Sequence, residues 1–122
     1  MTTDTGVDLV AYSNAKRKAI TIQVKTNLKA KPAGGKGRLA LDWWAPEESK
    51  ADYYAFVDLE SQGIWLVSHR ELAKLAQQKS SGRLHLYIYL DPDMKPRADK
   101  KKARMYEFEK YRLENRVIAV FG

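Results

Sequence analysis

Short runs in which apolar and polar residues alternate recur along this chain, and that period of two limits its fold more than any other feature. Leu84, Leu86, Ile88 and Leu90 alternate with His85, Tyr87 and Tyr89 and stop at Asp91-Pro92-Asp93. Successive side chains of a strand point to opposite faces, so this pattern predicts a strand with one apolar face. Tyr53 to Leu59 and Ile64 to Val67, joined by Ser61-Gln62-Gly63, predict a hairpin. Ser68 and Glu71 stand at capping-box spacing and start a helix expected to run to Lys79. Its Leu72, Leu75 and Ala76 share a face, and Ser80-Ser81-Gly82 ends it. Met105 to Glu114 is expected as a short helix and Val117 to Phe121 as a final strand. Strands interleaved with helices define an α/β chain.

Two further runs carry polar residues where strands disfavour them. Asp8 lies in Val7-Asp8-Leu9-Val10, and Gln23-Val24-Lys25 ends Ile20-Thr21-Ile22-Gln23-Val24-Lys25. A desolvated polar head costs roughly 1 to 3 kcal/mol unless it is paired, so such residues need a reason. Between the runs Ser13-Asn14-Ala15-Lys16-Arg17-Lys18 is a polar turn. A hairpin register with Leu9 opposite Ile22 brings Asp8 opposite Gln23 or Lys25, with all three polar groups on one face. The other face, with Val7, Leu9, Ile20, Ile22 and Val24, is apolar and requires burial. A carboxylate, an amide oxygen and an ammonium within reach of one another can hold a hard cation and offset charge on a phosphate. The same residues also suit a cross-strand Asp-Lys pair with a solvated Gln beside it.

Asp8 followed by Gln23-Val24-Lys25 resembles the PD-(D/E)XK nuclease superfamily, in the variant where Gln replaces the second acid. The Asp-Leu-Val strand, basic turn and Ile-Gln-Val-Lys-Thr strand are similar to small prokaryotic members, among them an intron-encoded homing endonuclease. The resemblance covers residues 6 to 80. It implies a restriction-endonuclease-like α/β fold, a mixed β-sheet flanked by helices, in one nuclease domain over residues 1–122. It also implies Mg²⁺ or Mn²⁺ as cofactor, with Asp8, Gln23 and the Val24 carbonyl as ligands and Lys25 as the ammonium assisting attack of water on DNA. Relatives often carry a helix with a Glu before the first strand, whereas this sequence offers only Met1 to Gly6, so that helix is expected to be absent. Asp8 is then the single certain carboxylate in the site. The alternative expectation is a catalytically inactive nucleic-acid-binding or assembly domain on the same fold.

Charge is patterned along the chain. Eight basic residues and no acidic one lie between Lys16 and Arg38, and six basic residues against Asp99 lie between Lys95 and Arg104. The remainder is net negative, so the formal charge of +7 comes from these two blocks. Such blocks attract phosphate backbones without reading sequence. Lys16, Arg17, Lys18, Lys29, Lys31, Lys36 and Arg38 are therefore the expected DNA contacts. The segment Lys29 to Arg38, rich in Gly and Lys, is expected as a loop; it lacks the spacing of a phosphate-binding Walker loop. Trp43 and Trp44 fit either base stacking or a core. His69 and His85 show no catalytic spacing and read as structural.

A chain of 122 residues that is 44% apolar suits one globular domain. It has no apolar run of the length a membrane span needs and no signal-peptide pattern. With no Cys, disulfides and thiolate metal sites are excluded, which fits a cytoplasmic protein. Small nucleases of this type often pair, so a homo-oligomer is compatible with the reading.

Overall fold

The computed structural model describes residues 8–33, 38–91, 93–95, 97, 99 and 101–122. Its strands are β1 (Leu9–Ser13), β2 (Lys18–Asn27), β3 (Lys31–Ala33), β4 (Arg38–Pro46), β5 (Tyr53–Asp58), β6 (Gly63–Ser68), β7 (Gln78–Ser80) and β8 (Arg83–Tyr89). The helices are α1 (His69–Leu75) and α2 (Leu113–Phe121), and a 3-10 helix spans Met105–Tyr111. The strands form two four-stranded sheets, ordered β1-β2-β5-β6 and β3-β4-β8-β7. All pairings are antiparallel except that of β2 with β5. The fold is thus mixed α/β, with two mostly antiparallel sheets in place of the single mixed sheet expected.

The second sheet exists because β4 and β8 both alternate. Leu41, Trp43 and Ala45 on β4, with Leu84, Leu86 and Ile88 on β8, make one apolar face that cannot be left in water. It packs against Tyr54, Phe56, Trp65 and Val67 of the first sheet, with Leu72 and Leu75 of α1 and Phe108 and Tyr111 closing the layer. The opposite face of the first sheet carries Ile20, Ile22, Tyr53 and Leu66, and α2 covers it with Val120, Leu113 and Phe121. Ser13, fully buried, donates its hydroxyl to the Val120 carbonyl, and the Asn14 N–H reaches the Phe121 carbonyl at 2.8 Å. The C-terminal helix is thereby tied to the β1–β2 turn.

Several expected elements differ. Val117 to Phe121 is helical, part of α2, because Leu113 and Val120 are two helical turns apart and face the sheet together. Met105 to Glu114 is divided between the 3-10 helix and the first residues of α2. The helix expected to reach Lys79 stops at Leu75. Gln77 then bonds the Tyr87 N–H at 3.0 Å and the Tyr87 carbonyl at 2.7 Å through its side chain, and β7 follows. Part of the expected Lys29 to Arg38 loop is β3, whose Pro32 is tolerated because β3 is an edge strand. The expected absence of an N-terminal helix concerns residues outside the described ones. The hairpin β5–β6, the capping box of Ser68 and Glu71, and β8 lie where the sequence puts them.

α1 is also held to α2. Arg116 grips Glu71 with two bonds of 2.6 and 2.9 Å and donates a third to the Leu66 carbonyl at 2.8 Å. Burial works to raise the Glu71 carboxyl, but Arg116 and the Ser68 N–H and hydroxyl outweigh it and hold the group below its ordinary 4.5. A carboxyl depressed on folding contributes stability that is complete above its unfolded value and is lost as pH falls through the folded one. Stability is therefore expected to drop as the medium is acidified below about 4.5, and Glu71→Gln should flatten that part of the dependence. The difference in urea midpoints should correspond to under about 1 kcal/mol, since solvent reaches the pair.

Candidate functional site

The register of the first hairpin is the one that gathers the polar residues. Leu9 lies opposite Ile22, and the Asp8 N–H donates to the Ile22 carbonyl at 2.9 Å. Asp8 Oδ2 accepts the Val24 N–H at 2.7 Å, which fixes the carboxylate against β2 between Gln23 and Lys25 in sequence. A strand residue directs its N–H and C=O to the same neighbour, so the Val24 carbonyl also faces the Asp8 side.

On the other side β2 pairs in parallel with β5, Gln23 beside Tyr54 and Lys25 beside Phe56. Tyr54 and Phe56 belong to the core between the sheets, so Gln23 and Lys25 sit on the inner face, at its margin. Gln23 is 2% exposed, Lys25 is half-buried and Asp8 is exposed. The polar face of β2 is therefore the more enclosed one at Gln23. The apolar face is covered by α2 at Ile20 and Ile22, while Leu9 remains exposed and Val7 lies outside the described residues.

Gln23 has an acceptor to spare: its Oε1 receives only a long 3.5 Å contact from the Ser49 hydroxyl among the described residues. Ser49 belongs to the segment between β4 and β5, which is latched to β2. Asp52 donates its N–H to the Thr21 carbonyl at 3.0 Å, and its Oδ2 accepts from the Thr21 N–H and hydroxyl at 3.0 and 3.1 Å. The Tyr54 hydroxyl donates to the Pro46 carbonyl at 3.0 Å, and burial pushes its pKa up. Ser49, Asp52 and Tyr54 were not legible as neighbours of Gln23, because only the parallel β2–β5 pairing brings them there.

Asp8 Oδ1, Gln23 Oε1 and the Val24 carbonyl are hard oxygen donors of the type Mg²⁺ and Mn²⁺ take, so the donor chemistry fits such an ion. The set carries one charge: among the described residues no three His, Asp or Glu side chains gather as a metal group. Lys25 forms no ion pair with a carboxylate among the described residues.

The basic residues are more dispersed. Lys16 and Arg17 in the β1–β2 turn and Lys18 at the start of β2 are exposed at the far end of the hairpin, Lys18 being five strand residues or about 17 Å from Gln23. Lys29 and Lys31 are exposed beyond the near end of β2. Arg38 pairs with Asp91, so its charge is partly spent within the fold, and Lys36 lies outside the described residues. In the second block Lys101 Nζ donates to the Ala76 carbonyl at 2.5 Å, Arg104 pairs with Glu107, and Arg97 holds the Asp99 carboxyl down to about 2. That block serves structure as much as charge.

Strand alternation separates the tryptophans. Trp43 points inward, 5.2 Å from Phe56, and Trp44 outward, stacked on His85 at 4.1 Å. Both histidines are engaged, His69 with the Glu47 carbonyl at 2.6 Å and His85 with Asp42 at 2.9 Å and Gln78 at 3.3 Å. Among the described residues, no helix is long and apolar enough to cross a membrane. Comparison with protein-family models, with curated proteins and with solved structures gives no match.

Proposed function

We propose that this chain is a metal-dependent DNA endonuclease of the PD-(D/E)XK type, on a restriction-endonuclease-like arrangement. The observation that carries the reading is the 2.7 Å bond from the Val24 N–H to Asp8, which holds a carboxylate beside a buried Gln amide on the strand that also bears Lys25. In hydrolysis, water gives up a proton to the solvent as its oxygen bonds to phosphorus, the bond to the departing sugar oxygen breaks, and that oxygen takes a proton from the solvent. Lys25 orients the attacking water and offsets negative charge growing on the phosphate oxygens. Asp8, Gln23 Oε1 and the Val24 carbonyl would hold Mg²⁺ or Mn²⁺, which supplies Lewis-acid polarisation of the phosphate when bound. The exposed Lys29 and Lys31 extend from the site end of β2, and Lys16 to Lys18 offer a second backbone contact.

Supercoiled DNA should be nicked in Mg²⁺ and left intact in excess chelator, and Asp8→Asn should lose the activity. The second reading, an inactive nucleic-acid-binding or assembly domain, draws on the single carboxylate in the set. It predicts DNA binding that falls with salt and that Asp8→Ala leaves unchanged or improves, with no cleavage in any metal.

A further inference from the structure

The outer face of the β3-β4-β8-β7 sheet has no part in the chemistry proposed above, yet its composition is unusual. Leu84, Leu86 and Ile88 point into the core, so Arg83, His85, Tyr87 and Tyr89 share the outward face of β8. A sheet face turned to solvent ordinarily carries small polar and charged side chains. Here, with Trp44 from β4, it carries a row of rings, of which Trp44, His85 and Tyr89 are partly exposed and Tyr87 is buried. Trp44 lies flat on His85, His85 meets Tyr87 edge-on at 5.3 Å, and Tyr87 meets Tyr89 edge-on at 5.5 Å. Guanidinium groups sit over the row, Arg83 at 4.9 Å from the Trp44 ring and Arg97 at 5.5 Å from that of Tyr87.

Beside the rings is a cleft of about 510 Å³ lined by Lys31, Pro32, Asp42, His85, Tyr87 and Tyr89. Its size suits a small ring-bearing ligand. The Asp42–His85 pair forms part of its wall, with His85 Nε2 against Asp42 and Nδ1 against Gln78. Asp42 has a second carboxylate oxygen and a side chain 42% exposed, which leaves an acceptor for the exocyclic amine of a base. Lys31 is exposed and in no ion pair among the described residues, so a cation stands at the rim for a phosphate.

We propose that this face binds single-stranded nucleic acid, with one base seated in the cleft against Tyr89 and the adjoining phosphates drawn to Lys31 and Arg83. Ring faces accept any base, and flanking cations track the backbone, the combination that single-strand platforms use. A neutral saccharide would also stack on rings, but it gives no role to the cations or to a chain of net charge +7. The proposal shares Lys31 with the endonuclease reading but rests on Tyr89, which that reading does not use, so the effect of Tyr89→Leu in chelator separates the two.

The test is fluorescence anisotropy of a labelled oligodeoxycytidine of about ten nucleotides, titrated with the full chain in chelator. Tyr89→Leu is expected to weaken binding by about 5- to 100-fold, the range for loss of one stacked base, and Tyr89→Phe to restore it. Lys31→Ala, at an exposed position that leaves the core intact, should weaken binding and flatten its salt dependence. Unchanged affinity in Tyr89→Leu, or equal displacement by a neutral oligosaccharide, would overturn the proposal.

Discussion

Lys25→Ala is expected to slow Mg²⁺-dependent nicking of supercoiled DNA by about 100- to 1,000-fold, the usual loss when one group stabilising transition-state charge is removed. The side chain is half-buried on the inner face of β2, beside Phe56 of β5, and pairs with no carboxylate among the described residues. Its truncation therefore strands no partner charge, and thermal stability should change little. DNA affinity in chelator should fall only modestly, since one cation among several exposed ones is lost. Loss of rate with retained folding and binding separates a role in hydrolysis from a structural one. Equal rates in variant and wild type would exclude Lys25 from the chemistry.

Phe56→Ala should be the most destabilising of the substitutions considered, at about 3–5 kcal/mol. Phe56 is fully buried, 5.2 Å from Trp43 across the two sheets and stacked on Tyr54 at 5.9 Å within its own. Removal of the ring leaves a void that the aromatic neighbours, fixed by strand pairing, fill poorly. Against a total of about 5–15 kcal/mol this is a large share. Thermal unfolding followed by circular dichroism should show a midpoint about 10–20 °C lower. Because Phe56 neighbours Lys25 across the parallel pairing, activity should be lost at lower temperature as well. A shift equivalent to under about 1 kcal/mol would mean that the sheets do not pack through this ring.

What could be read from the sequence follows from the range of the forces involved. Local codes were legible: the Ser68–Glu71 box, the Ser61-Gln62-Gly63 turn and the alternation of β8 act within a few residues. The Leu9–Ile22 register was legible too, because a short hairpin with one apolar face tolerates few alternatives. The second sheet was not, since β4 holds its place through pairing with β8, roughly forty residues on in the chain, and β3 only through pairing with β4. Val117 to Phe121 misleads because a short apolar run fits strand or helix equally. Val117 and Ile118 in fact face solvent, and the buried contacts of α2 come from Leu113 and Val120. At the site, Asp8, Gln23 and Lys25 were legible as misplaced polar residues. Their companions Ser49, Asp52 and Tyr54 depend on the parallel β2–β5 pairing, which no local signal announces.

The central claim is that Asp8 and Gln23 hold the ion and Lys25 aids hydrolysis, and the most direct measurement is the initial rate of nicking across a Mg²⁺ series for wild type and Asp8→Asn. Asparagine keeps the size of the side chain and removes the only charge the donor set carries. The account predicts a wild-type rate that rises and saturates with Mg²⁺ and is abolished by chelator, and a variant at least about 100-fold slower. Equal rates for the two proteins at every Mg²⁺ concentration, or no nicking by either, would contradict it.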